Sequence, residues 1–235
     1  MVRAPYHLAD FKSGVLIKGG LALETAHKIS AIIFDKTGTL TFGRPCVSDT
    51  LLLDHKMKMD EKKLYEFVAT AERGSEHPIA KAIVKFAEEI NVKLSHPDKF
   101  EAIVGEGISC FVNGVPVLVG NRGFMDKHQI PVTNEIIAQM VDLEREAKTV
   151  ILAAVDGALA GIVGVTDEIK PEARATIRFL EKMGITCWMV TGDNKVTANA
   201  VANQIGITHV FSEVLPSQKK VKVKELKVLL EITSG

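Results

Sequence analysis

No apolar run in this chain approaches the roughly 20 residues needed to cross a bilayer, and no short apolar leader stands at its start, so it reads as a soluble segment. Cysteine is scarce. Cys46, Cys110 and Cys187 are scattered with no Cys-x-x-Cys pair, which excludes a disulfide framework and a structural zinc site and fits reduced thiols of a cytosolic compartment. Neither charge dominates, since Lys plus Arg and Asp plus Glu each number 29. A general attraction to nucleic acid or to an anionic membrane is thereby excluded, and any binding must rest on specific sites. Internal repeats, low-complexity tracts and a Gly-rich Walker loop are also missing.

What is there begins at residue 31. Ala31, Ile32, Ile33 and Phe34 are continuously apolar, which predicts a strand buried on both faces of a parallel sheet. Asp35 follows at its carboxyl end, where open α/β sheets carry ligands. A carboxylate ionised at neutral pH needs no general base to act as a nucleophile. Lys36, the hydroxyls of Thr37 and Thr39 and the backbone at Gly38 supply donors for phosphate oxygens. A lone Asp would more simply cap a turn, but six adjoining residues of this kind favour a phosphate site.

The residues Asp35-Lys36-Thr37-Gly38-Thr39-Leu40-Thr41 resemble the phosphorylation signature of the P-type ATPases. The resemblance implies that Asp35 accepts the γ-phosphoryl group of ATP, with Asp35 and Thr37 at the Mg²⁺ site. Phosphatases of the wider haloacid-dehalogenase-like superfamily usually carry a second Asp two positions after the nucleophile, as acid and base. Thr37 stands there instead. A hydroxyl carries protons poorly near pH 7, so the acyl phosphate should form yet hydrolyse slowly.

After Thr41 the parallel-sheet pattern lapses and returns near residue 160. Helical spacing joins Leu64, Phe67, Val68 and Ala71, then Ile79, Ala82, Ile83, Phe86 and Ile90, then Ile136, Met140, Leu143 and Ala147. Strands are expected over 100–104, 108–112 and 115–119, with Asn113-Gly114 as a hairpin turn, and over 150–155 and 159–165 around Asp156-Gly157. Alternation resumes with a helix from Pro171 stopped by Gly184, a buried strand over 185–190, and a helix to about Gln204. A short strand at Val210 and Phe211 and a Lys-rich helix after Pro216 complete the pattern.

The expected fold class is therefore α/β, a haloacid-dehalogenase-like doubly wound parallel sheet with an inserted α+β antiparallel-sheet domain. Residues 1–30 read as an N-terminal stalk or linker, 31–45 with 166–235 as a discontinuous phosphorylation domain, and 46–165 as the nucleotide-binding domain.

Thr191-Gly192-Asp193 repeats the opening logic, because a hydroxyl, a glycine and a helix start together bind an anion. An N-cap by Asp193 or Asn194 explains the same residues. Thr191-Gly192-Asp193-Asn194 also resembles a P-type ATPase pattern, as does the 213–219 segment, whose Lys219 by that resemblance offsets the charge of the phosphorylated Asp. Asp167 resembles the family's hinge residue, ordering the returning strand near the nucleotide phosphates. The family carries a further Gly-Asp-Gly-x-x-Asn-Asp segment that supplies a Mg²⁺ ligand. It is not among these residues, so the parallel domain is expected to be truncated, its metal site short of a ligand and phosphorylation weak or absent even if nucleotide binds.

Ser75-Glu76-His77-Pro78 opens a predicted helix, with Pro78 suited to its first turn. The four residues resemble the nucleotide-domain signature of heavy-metal-transporting P-type ATPases, in which the His orients adenine. The same resemblance carries Glu72, Glu76, Gly105, Gly107, Ile108, Gly120 and Asn121 into the nucleotide site. The 213–219 segment and the residues around Leu16-Ile17-Lys18-Gly19-Gly20 look closest to the copper exporters of that branch, ahead of zinc or cadmium transport. The implied partners are ATP with Mg²⁺ and the actuator and transmembrane domains of a full-length membrane pump, whose cytoplasmic region this would be. The transported metal would be handled outside this chain, and no nucleic acid is implied. A stand-alone phosphatase of the superfamily and a catalytically silent nucleotide-binding module are the alternatives.

Overall fold

The computed structural model describes residues 7–10, 15–18, 28–53, 56–215 and 217–233. Pro216 and most of the expected stalk over 1–30 lie outside the described residues. Two short strands of that stalk, β1 (His7–Asp10) and β2 (Val15–Lys18), pair antiparallel. In chain order β3 (Ala31–Asp35) and a wide turn lead into β4 (Cys46–Leu52), then helices α1 (Glu61–Glu72) and α2 (Pro78–Glu89). Strands β5 (Asp98–Ile103), β6 (Gly107–Val112) and β7 (Val115–Gly120) follow, then α3 (Arg122–Lys127), α4 (Asn134–Arg145), β8 (Thr149–Val155) and β9 (Ala158–Thr166). The chain continues through α5 (Ala173–Lys182), β10 (Thr186–Val190), α6 (Lys195–Ile205), β11 (His209–Phe211) and α7 (Lys219–Thr233).

Besides the β1–β2 pair, the described residues form two larger sheets. β11, β10 and β3 lie parallel with β10 in the middle, and the stretch between Cys46 and Thr166 forms a six-stranded antiparallel sheet ordered β4-β9-β8-β7-β6-β5. Both expected hairpins are present. Asn113 and Gly114 have φ of 52° and 78°, and Asp156 and Gly157 have 49° and 79°, the paired left-handed residues that a tight twisted hairpin requires.

Helix starts follow side-chain chemistry. The Asp60 carboxylate accepts the Lys63 amide at 2.8 Å ahead of α1, and Asn194 Oδ1 accepts the Thr197 amide at 3.0 Å ahead of α6. α5 begins at Ala173 because Pro171 and Glu172 form a turn first, and Gly184 at φ 78° ends it as expected.

The middle of the antiparallel sheet is buried on both faces, so β8 and β9 are almost wholly apolar where alternation would suffice for a half-solvated sheet. Leu64, Tyr65, Val68 and Ile83 of α1 and α2 pack with Ile151, Ala153 and Val155 on one face. Phe124, Met140 and Leu143 of α3 and α4 pack with Val150, Leu152 and Ala154 on the other. The parallel sheet buries Cys187 and Met189 under Ile177, Ala198, Val201 and Ile205 of α5 and α6. Its opposite face carries Trp188, stacked on His209 at 4.4 Å and on Phe211 at 5.0 Å between ring centres.

One expectation about burial is corrected. Every residue of β3 is half-buried rather than enclosed on both faces. The strand lies at the edge of the described three-stranded sheet, so only the face carrying Phe34 meets the helices.

Candidate phosphate-acceptor site

Asp35 ends β3 directly opposite Val190, so Thr191 leaves its strand at the same level and both loops open at the carboxyl edge of the sheet. The chain then turns through Thr37 (φ −73°, ψ 124°) and Gly38 (φ 77°, ψ −11°), and the Thr41 amide closes the turn on the Lys36 carbonyl at 3.1 Å. Those angles are a type II turn, whose second central position favours glycine. Thr41, almost fully buried, locks the arrangement from within. Its hydroxyl donates to Asp167 Oδ2 at 2.6 Å, its Oγ1 receives the Gly38 amide at 3.2 Å, and Asp167 Oδ1 accepts the Arg44 amide at 3.0 Å. Asp167 therefore ties the outgoing strand to the returning one at the foot of the acceptor turn.

Lysine chemistry surrounds the carboxylate. Lys219 Nζ donates to Asp35 Oδ2 at 2.5 Å from the first turn of α7, while Lys220 and Lys224 of the same helix face water. Lys36, buried, turns the other way and pairs with Asp193. Thr191 donates its hydroxyl to Asp193 Oδ2 at 2.8 Å and accepts the Asp193 amide at 3.1 Å. Backbone bonds from Glu213 to Asp193 and from Val214 to Thr191 draw the segment that leads to Lys219 against this loop. Asp35, Lys36, Thr191, Asp193 and Lys219 thus form one constellation. Thr37 and Gly192 stand exposed at its rim.

The residues expected at a nucleoside divide into two groups. His77 caps α2, its Nδ1 accepting the Ile79 amide at 3.3 Å, which leaves Nε2 as the outward nitrogen. Crowding by surrounding protein holds its pKa below the usual value, against the opposing pull of the Asp193 charge. Glu76 is exposed, whereas Glu72 at the end of α1 is buried and its carboxyl is pushed up to about 7 by that burial. Gly107 and Gly120 are direct cross-strand partners. A methyl on either would stand 2.6 or 2.7 Å from Phe124 Cδ1, so a protein ring fills the space beside them. Ile108 is core, and Asn121 caps α3 while its amide donates to the Gly105 carbonyl at 2.9 Å. Gly105 lies against Leu215 of the parallel-sheet side, where an added methyl would meet Leu215 Cδ2 at 2.6 Å. An open groove of about 600 Å³ elsewhere, lined by Asp60, Lys62, Lys93 and Asn113 among others, includes none of these residues.

A family model for haloacid dehalogenase-like hydrolases matches residues 29–233. The chain belongs to that family. Within it, this hydrolase is similar to the probable copper-exporting P-type ATPase of Archaeoglobus fulgidus, with 45% identity over 214 residues that cover 91% of this chain and 26% of that protein. Among solved structures, a zinc-transporting PIB-type ATPase in the E2.Pi state is 32% identical with a TM-score of 0.59, covering 90% of this chain and 34% of that one. The catalytic domain of the CPx-ATPase CopB-B gives a TM-score of 0.68 at 24% identity, covering 94% and 77%, and speaks for the fold alone. The chain spans about a quarter or less of the length of the curated relatives it matches. These likenesses bear out the resemblance to heavy-metal P-type ATPases and the haloacid-dehalogenase-like fold.

Among the described residues of this hydrolase no helix is long and apolar enough to cross a membrane, and no group of three or more His, Cys, Asp or Glu is spaced to hold a metal ion. One exposed carboxylate and the oxygens of the turn after it nevertheless suit Mg²⁺ in kind, because that ion commonly takes one or two carboxylates and fills its remaining positions with water and phosphate oxygens. Sequence reasoning missed a further set of residues. Thr149 donates to Asp193 Oδ1 at 3.0 Å, Glu144 Oε1 accepts from Asn194 at 2.8 Å, and the Lys148 carbonyl accepts from Thr197 at 2.9 Å. None belongs to a motif, and only the fold brings them to α6.

Proposed function

We propose that this haloacid dehalogenase-like hydrolase is the ATP-binding and phosphorylation unit of a heavy-metal-translocating P-type ATPase, copper in preference to zinc. The observation that carries the reading is Asp35, half-exposed at the carboxyl end of a parallel strand with Lys219 on one oxygen and the Lys36–Asp193–Thr191 cluster beside it. The higher identity to a copper exporter than to a zinc transporter supports the choice of ion. In this reading the antiparallel-sheet domain over 46–165 binds the nucleoside end of ATP through His77 and Glu72, and the parallel domain receives the phosphate end. Transport itself, the actuator and the membrane-spanning part belong to the longer pump, with this region on its cytoplasmic side.

An oxygen of Asp35 attacks the γ-phosphorus in line, forming the acyl phosphate as the bond to the bridging oxygen breaks and ADP leaves with the electron pair. Lys219 and the Thr37 hydroxyl bear on the negative charge of the phosphoryl oxygens, while Lys36 and Thr191, bonded to Asp193, brace the loops beside them. Asp35 and Thr37 would hold Mg²⁺, which when bound neutralises phosphoryl charge. With Thr37 in place of an acid and base, the product persists. Transfer of label from γ-labelled ATP to the chain, acid-stable, sensitive to hydroxylamine and lost in Asp35→Asn, tests the proposal. Multiple-turnover hydrolysis of phosphomonoesters abolished by Asp35→Asn would overturn it in favour of a free-standing phosphatase.

A further inference from the structure

Asp193 is held from both domains at once. From the parallel-sheet side, Lys36 pairs with Oδ2 and the Thr191 hydroxyl donates to the same oxygen at 2.8 Å. From the antiparallel-sheet side, Thr149 at the first position of β8 donates to Oδ1 at 3.0 Å. The Lys36 and Asp193 side chains are only 8% and 10% exposed, so their geometry is set by protein rather than by water. Beyond Asp193 the docking continues through Asn194 with Glu144 and Thr197 with Lys148.

The two oxygens of a carboxylate move as one rigid plane. Its terminal torsion is soft, with no steep staggered well to hold it. Lys36 and Thr191 hold Oδ2 and Thr149 holds Oδ1, so release of the Thr149 bond removes the restraint on one side of the plane and loosens its orientation towards Lys36. Lys36 follows the acceptor in the chain, and its carbonyl closes the turn by accepting the Thr41 amide at 3.1 Å. A path of direct contacts thus runs from β8 of one domain to the turn beside Asp35 in the other.

We propose that Thr149 is a positioning residue, which orients Asp193 and through it Lys36 and the acceptor turn only while the two domains are docked. Nucleotide binding that draws the domains together would in this way set the acceptor loop, and their separation would loosen it. The catalytic consequence rests on Asp35 being the acceptor. The contact path does not, and the test below reads the path without any phosphoryl transfer.

Amide hydrogen exchange on the 235-residue chain provides that test. Thr149→Val removes the donor and keeps the branched shape, whereas Thr149→Ser keeps the donor. The Gly38 and Thr41 amides are expected to exchange about tenfold faster in Thr149→Val, the factor that 1.4 kcal/mol represents, with Thr149→Ser close to the parent chain and the Leu152 and Ala154 amides in β8 unchanged. Glu144→Ala removes a neighbouring contact between the same domains but none to Asp193, and should leave the turn near its parent rate. The proposal fails if Thr149→Val leaves the turn within about twofold of the parent, a change of under half a kcal/mol. It fails equally if Glu144→Ala accelerates the turn as much, since general loosening of the docked domains would then be the cause. Should Thr149→Val not fold, Thr149→Ala gives the same comparison with the smaller side chain.

Discussion

Replacing Glu72 by Gln should raise stability at high pH and leave it nearly unchanged at low pH. Glu72 is 8% exposed at the end of α1, beside the buried Val68, Ala69 and Ala71, and burial drives its carboxyl from the ordinary 4.5 to about 7. The folded chain therefore keeps this proton up to about 7, while the unfolded chain gives it up near the ordinary value. A carboxyl raised on folding binds more protons in the native state, so stability is complete below the unfolded value and falls as pH rises towards the folded one. At 1.36 kcal/mol for each pH unit between the two values, the loss amounts to about 3 kcal/mol. Gln offers a neutral amide of the same length and does not titrate. Urea unfolding of both chains at about pH 5 and about pH 8, with the difference in ΔG compared between them, isolates this group from all others that titrate. The expected outcome is a variant more stable than the parent by about 2 to 3 kcal/mol at the higher pH and by under about 1 kcal/mol at the lower. A difference independent of pH would refute the reasoning, because it would mean that Glu72 ionises in the fold as it does in water.

Other outcomes follow from the same geometry. Asp35→Asn breaks only a partly exposed pair with Lys219, so chemical denaturation should register under about 1 kcal/mol while label transfer from ATP vanishes. His77→Ala should weaken ATP binding, expected in the micromolar to millimolar range of about 4 to 8 kcal/mol. Calorimetry that shows the parent affinity in this variant would remove His77 from the nucleoside site. Gly107→Ala sets a methyl 2.5 Å from the Val119 carbonyl and 2.6 Å from Phe124, and should cost about 1 to 3 kcal/mol in thermal or urea unfolding. A neutral result there would mean that β6 and α3 yield more readily than their packing suggests.

Much of this fold was legible where a single element carries its own pattern. The apolar run before Asp35, the Asn-Gly and Asp-Gly turns and the helical spacing of α1, α2 and α4 each depend on neighbours in the chain. β4 escaped because Ser48, Asp49 and Thr50 dilute its apolar residues and a bulge between Val47 and Asp49 breaks the alternation. α3 escaped because six residues are too few to show a helical period, although Asn121 caps it. The acceptor loop and Thr191 could be read from motifs. The half-burial of β3, the packing of Phe124 over the Gly107–Gly120 pair and the Thr149–Asp193 bond could not, since each joins residues distant in the sequence through tertiary contact.

The place where the inserted sheet enters and leaves has a consequence for assembly. Cys46 and Thr166 are paired neighbours on β4 and β9, so folding of the long stretch between them by itself delivers residue 45 beside residue 167. The entropy of closing a chain grows with the length of the loop, and a loop whose ends are already joined by a folded body behaves as a very short one. β3 and β10 then find each other almost as readily as strands linked by a brief connection. The insertion that interrupts the parallel domain in sequence would thus act as its folding template, with the antiparallel sheet forming first and the acceptor's strand docking second. An isolated 46–166 segment should fold without its host, while the host halves without it should pair slowly.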